Sequence, residues 1–140
     1  LQKLFEAIDF VATHLQSNGL WERSLILVHS DFGRTRLNGN ADGKDHWPIT
    51  SLMMMGGLVA GGREFGGSYI DPNASVEQPK SGVMPRAVNL DTLAFDDGGT
   101  LMTPSHIHYT IRELLGINCH PLAEQFKLPT EYQTVLPIFT

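Results

Sequence analysis

The chain has 140 residues, 41% apolar and 18% charged, enough apolar material for one domain with a real core and too much for a disordered segment. Its net charge of −5 excludes the basic footprint of a nucleic-acid binder or of a protein held on an anionic membrane. The longest apolar run, Leu52 to Ala60, is broken by glycines and falls far short of the roughly 20 residues that span a bilayer, and a lone Cys119 excludes an internal disulfide and a cysteine-rich zinc site.

The chain opens on Leu1 inside a helical pattern, without a cap, so residues 1–140 read as a single domain cut from a longer protein. Leu4, Ile8, Val11 and Leu15 recur at helical spacing and predict a helix over 2–17 with one buried face, stopped by Asn18-Gly19. Ser24 to His29 is a short run apolar on both faces, which predicts a buried parallel strand. Residues 33–48 read as a long glycine-containing loop at the strand's C-terminal end, where open α/β sheets place their sites.

A second buried strand is predicted over 49–55, ending at Gly56-Gly57. Residues 64–70 read as a short exposed strand, 71–86 as loop, 87–90 as another short strand, and Asp96 to Gly99 as a turn. Thr103 as N-cap and Pro104 at the first helical position start a second helix, with Met102 and Ile107 stapling the cap. Ile107, Ile111 and Leu114 form its buried stripe and Gly116 ends it; the tail from Pro121 reads as irregular structure.

Two clusters carry candidate chemistry. Asp31, at the end of the first strand and followed by Phe32-Gly33-Arg34-Thr35, is placed either to bind a cation or to cap a turn. Asp45-His46 offers a carboxylate and an imidazole, which suit zinc or manganese, while the carboxylate also suits calcium or magnesium; the alternative is a solvated loop anchored by Trp47. Arg34 and Arg36 supply cationic groups for an anionic substrate. Asp31-Phe32-Gly33 matches a kinase tripeptide, but the rest of the kinase motif set is absent. His106 and His108 point about 200° apart on a helix and cannot share an ion, so His106 reads as a surface or packing residue. His14, His29 and His120 read as structural, and no nucleophile motif is present.

The runs SLILVHSDFGRT, GKDHWPITSLMMMGGLVAGG, EFGGSYID and TPSHIHYTIRELLGIN resemble domain-of-unknown-function family 1501, a sulfatase-like branch of the alkaline phosphatase superfamily. The resemblance implies an α/β fold with a mostly parallel sheet flanked by helices, of which this chain is the C-terminal part. It implies that the preceding part of the protein supplies the nucleophile and further ligands, and that the protein is exported, to the periplasm or to the cell surface. Asp31 matches the acidic position of the family's Glu-Phe-Gly-Arg-Thr motif, and Asp45 and His46 match its Asp-His-Trp. The implied site is therefore a divalent metal held by Asp31, Asp45 and His46, with Arg34 on the substrate. Phe32 stands where active members of the superfamily have a histidine ligand.

Two functions follow as expectations. One is metal-dependent hydrolysis of phosphate or sulfate esters by the full-length protein, with this chain inactive alone. The other is a non-catalytic binding or assembly role on the same fold. Sheet edges that await the missing part are expected to favour dimers or larger species.

Overall fold

The computed structural model describes residues 1–35, 43–72 and 82–140. In chain order the helices are α1 (Gln2–Ser17), α2 (Pro104–Leu114) and α3 (Pro121–Gln125). The strands are β1 (Ile26–His29), β2 (Gly33–Arg34), β3 (His46–Trp47), β4 (Leu52–Met55), β5 (Ser68–Ile70) and β6 (Val83–Pro85). They fall into two compact units. One contains Leu1–Asp31, Ser51–Arg63 and Ile138–Thr140, and the other contains Phe32–Thr50 and Glu64–Pro137.

In the first unit α1 runs the predicted length and stops as predicted. Gly19 adopts φ +65, and the N–H groups of Gly19 and Leu20 return to the carbonyls of Gln16 and Leu15, which ends the helix with its last carbonyls satisfied. The predicted buried face is not observed: no residue of α1 is buried, and Leu4 and Val11 are each 43% exposed.

The two apolar runs form β1 and β4, but they pair antiparallel, with Ile26 opposite Met55 and His29 opposite Leu52. Burial alternates along β1, which is the pattern of a strand packed on one face, whereas a strand in a covered parallel sheet is buried on both. After β4 the backbone passes very close to Ser24. A Cβ on Gly56 would lie 2.0 Å from the Ser24 carbonyl oxygen, so this crossing requires glycine. The chain's last residues complete the unit: Ala60 N–H donates to the Ile138 carbonyl and Thr140 N–H to the Leu58 carbonyl, both at 3.1 Å.

The second unit holds most of the buried core, with Val88, Leu93, Ile107 and Leu136 all below one-tenth exposed. Val88 exchanges hydrogen bonds with Thr100 and forms a bridge to Phe95, so the predicted strand at 87–90 is reduced to a single bridging residue. Residues 83–85, expected to be loop, instead form β6 against β5. α2 begins at Pro104 after Thr103, as predicted, but its buried residues are His106, Ile107 and Thr110. The inward face is thus turned from the predicted Ile107-Ile111-Leu114 stripe, and His106 is a core residue. The tail is more regular than expected: α3 is capped by the His120 ring, which accepts the Leu122 N–H, and Thr130–Tyr132 makes a 3-10 turn on α2. Each of the three strand pairs is antiparallel, so the parallel pairing expected of the sheet is not met among the described residues.

Candidate functional site

The predicted loop over 33–48 is drawn together at its ends. Gly33 pairs with Trp47 and Arg34 with His46 in an antiparallel ladder. The ladder continues one step outward, where Thr35 N–H donates to the Asp45 carbonyl at 3.0 Å and Asp45 N–H donates to Thr35 Oγ1 at 2.9 Å. Arg36 lies outside the described residues. Gly33 is needed here because a Cβ would sit 1.8 Å from the Ile49 carbonyl oxygen. Trp47 fixes the other side by donating its Nε1–H to the Val83 carbonyl at 2.9 Å.

Alternation along the two strands sorts the side chains onto two faces. Phe32, Arg34 and His46 share one face. The His46 ring stacks on Phe32 with centroids 3.7 Å apart, and the Arg34 guanidinium carbon lies 5.0 Å from the centre of the Phe32 ring. The buried Thr35, the half-buried Asp45 and Trp47 belong to the other face. A cleft of about 490 Å³ runs along this ladder, lined by Arg34, Thr35, Lys44, Asp45, His46 and Trp47. Arg34 is exposed and donates from an Nη to the Lys44 carbonyl at 3.2 Å.

The predicted site residues are therefore placed unevenly. Arg34 and His46 stand directly opposite each other on an exposed face. Asp45 follows His46 in reverse along the strand and points to the other face, so the two are not a chelating pair. Asp31 is exposed and ends the first unit, while the other three lie in the second. Among the described residues no three His, Cys, Asp or Glu side chains converge in a way that could hold a metal ion. An ion at His46 would also sit beside the Arg34 guanidinium, and like charge opposes it. The described residues do not by themselves fit a divalent metal.

The order of the predicted elements, the Phe-Gly-Arg-Thr strand and the Asp-His-Trp strand paired to it all lie within the stretch that decides the family. A model of a family described as protein of unknown function, DUF1501, matches residues 2–127. The chain belongs to that family. The match runs over nine-tenths of this DUF1501 chain, from α1 through α3, and includes every residue of the ladder. No curated protein and no solved structure matches it. No helix among the described residues of this DUF1501 chain is long and apolar enough to cross a membrane.

Sequence reasoning missed two elements of the site. It treated Phe32 only as a lost ligand, whereas its ring carries the His46 imidazole and lies beneath Arg34. It also left out Lys44, which lines the cleft and whose carbonyl positions Arg34. No alternation of polar and apolar residues marks a strand through Lys44-Asp45-His46-Trp47, so the sequence carried no signal for it.

Proposed function

We propose that this protein recognises phosphate or sulfate esters through the Arg34–His46 face. The chain is, in this reading, the C-terminal part of a molecule of the alkaline phosphatase and sulfatase kind. The observation that carries the reading is the cross-strand pair itself. Arg34 and His46 are opposite each other, held by Phe32, and open onto a cleft to which Lys44 adds a second cation. Charge-assisted hydrogen bonds from a planar fork give both energy and orientation to a tetrahedral anion. Thr35, the one hydroxyl among the cleft's described lining residues, is buried and accepts the Asp45 N–H, so it is not offered as a nucleophile. Hydrolysis accordingly relies on a nucleophile from another part of the protein, and export to the periplasm belongs to the same proposal on the strength of the resemblance.

Titration with inorganic sulfate and phosphate, followed by calorimetry and by Trp47 fluorescence, tests the anion site. Arg34→Ala is expected to weaken binding by about 10-fold or more, the loss of a charged hydrogen-bonding partner, and Arg34→Lys to restore part of it. Equal affinity in wild type and Arg34→Ala would remove the basis for the proposal.

A second reading, a non-catalytic binding role, is favoured by the Phe32–His46 stack, which occupies the imidazole face with an aromatic ring in place of a ligand. Elemental analysis after dialysis against zinc and manganese separates the two. A stoichiometric ion that is lost in His46→Ala supports the metal-dependent hydrolase, with His46 as one ligand and the others from outside the described residues. Anion binding without a retained ion supports the non-catalytic role.

A further inference from the structure

His106 is the one ionisable side chain that is buried among the described residues, at 1% exposed. It is the third residue of α2 and closes a capping box with Thr103. Its Nδ1 accepts the Thr103 backbone N–H at 3.1 Å and lies 3.0 Å from Thr103 Oγ1. A ring nitrogen that accepts a backbone N–H carries a lone pair, so the neutral ring holds its proton on Nε2. Nε2 is buried and makes no well-formed hydrogen bond, although the Glu131 backbone acts on the ring, and the ring meets Tyr132 edge-on at 5.2 Å and 88°.

An added proton has only Nδ1 to occupy. There the nitrogen can no longer accept the Thr103 N–H; it can donate only to Thr103 Oγ1, 3.0 Å away, so the backbone half of the box is lost. Two further effects oppose the charge: the ring is desolvated, and it stands at the positive end of the helix dipole. Burial is the largest cause that holds its pKa below the ordinary histidine value, with the backbones of Glu131 and Thr103 acting in the opposite direction. The titratable residues on the 3-10 turn packed against α2 are Glu131, which is exposed, and Tyr132, and among the described residues no carboxylate stabilises the imidazolium. On α2 itself His108 and Arg112 are hydrogen-bonded to each other, and Thr110, one turn from His106, seats the Leu136 N–H.

We propose that the Thr103–His106 box is an acid-operated release, in which protonation at Nδ1 opens the first turn of α2 and frees the segment from Thr130 to Leu136 that packs on it. The neutral ring belongs to the folded chain. Its contribution is complete above the unfolded histidine value of about 6.5 and is lost as pH falls through the lowered folded value.

The test combines histidine-ring NMR on the wild-type chain with denaturant unfolding from about pH 7.5 to 5 for wild type, His106→Gln and His108→Gln. Glutamine keeps a side-chain acceptor at the box and does not titrate. The Thr103 amide signal of the wild type is expected to move with the His106 ring, at a midpoint below the ordinary histidine range. The unfolding constant is expected to rise by up to about tenfold per pH unit between the two pKa values. Burial and then Arg112 lower the His108 pKa as well, so His106→Gln should reduce that rise and His108→Gln should keep the part that belongs to His106. A Thr103 amide that stays in place while His106 titrates would overturn the proposal. So would a His106→Gln chain that keeps the whole rise, or a His108→Gln chain that loses all of it. Should His106→Gln fail to fold, the wild-type NMR titration decides alone.

Discussion

Gly33→Ala is expected to destabilise the chain by roughly 3–5 kcal/mol and to abolish anion binding at the Arg34–His46 face. The added Cβ meets the Ile49 carbonyl oxygen at 1.8 Å and its carbon at 2.9 Å, and both are backbone atoms that no rotamer change can move. β2 must then withdraw from β3 and the residues that follow it. That breaks the Gly33–Trp47 and Arg34–His46 pairs together and disturbs the Trp47 bond to Val83. Each lost hydrogen bond costs about 1 kcal/mol, and the repulsion adds strain of similar or larger size.

Gly62→Ala supplies the comparison. Gly62 adopts φ +72 with nothing within 4 Å of an added Cβ, so alanine there meets only backbone strain, about 1 kcal/mol. Urea unfolding of the two variants, with unchanged m-values, measures the difference directly. Equal midpoints would mean that the close approach at Gly33 does not exist in solution. A large loss of stability with intact sulfate binding would separate the ladder from the proposed anion site.

The parts of the molecule legible from the sequence are those that local chemistry decides. α1 ends where Asn18-Gly19 permits the left-handed turn, and α2 begins where Thr103-Pro104 supplies a cap and a preset φ. The positions of β1 and β4 were legible within two or three residues, because each is a short apolar run, whereas β2, β3 and β6 lie in stretches that read as loop. Strand partners were not. SLILVH is compatible with either pairing, and the antiparallel register with β4 depends on contacts far along the chain.

The site failed to be legible for a related reason. Asp45 and His46 are neighbours in sequence, and a loop reading lets neighbours converge. A strand reading sends them to opposite faces, and only the ladder with β2 decides between the two. His106 was overlooked because a histidine takes the place of the usual Glu or Gln of a capping box. The Thr-x-x-acceptor spacing was present but did not carry its common residue. In the tail, Leu136 and Ile138 are 1% exposed, yet three prolines and the lack of periodicity concealed them as core residues.

That tail is the subject of the second large expected effect. Leu136→Ala should cost about 3–4 kcal/mol, within the usual range for a buried leucine whose cavity cannot collapse. The collapse is resisted because Leu136 is held by its backbone as well as its side chain. Its N–H donates at 3.0 Å to Oγ1 of the fully buried Thr110, which in turn donates to the His106 carbonyl at 2.9 Å. Thr110→Val isolates the hydroxyl. Valine fills nearly the same volume but leaves the Leu136 N–H buried without an acceptor, a loss of roughly 1–3 kcal/mol. Thr110→Ser keeps the hydroxyl and should recover most of that loss. Leu136→Ala keeps the backbone N–H, so the bond itself is read from Thr110→Val against Thr110→Ser. A Thr110→Val chain as stable as wild type would show that the Thr110–Leu136 bond does not hold the tail.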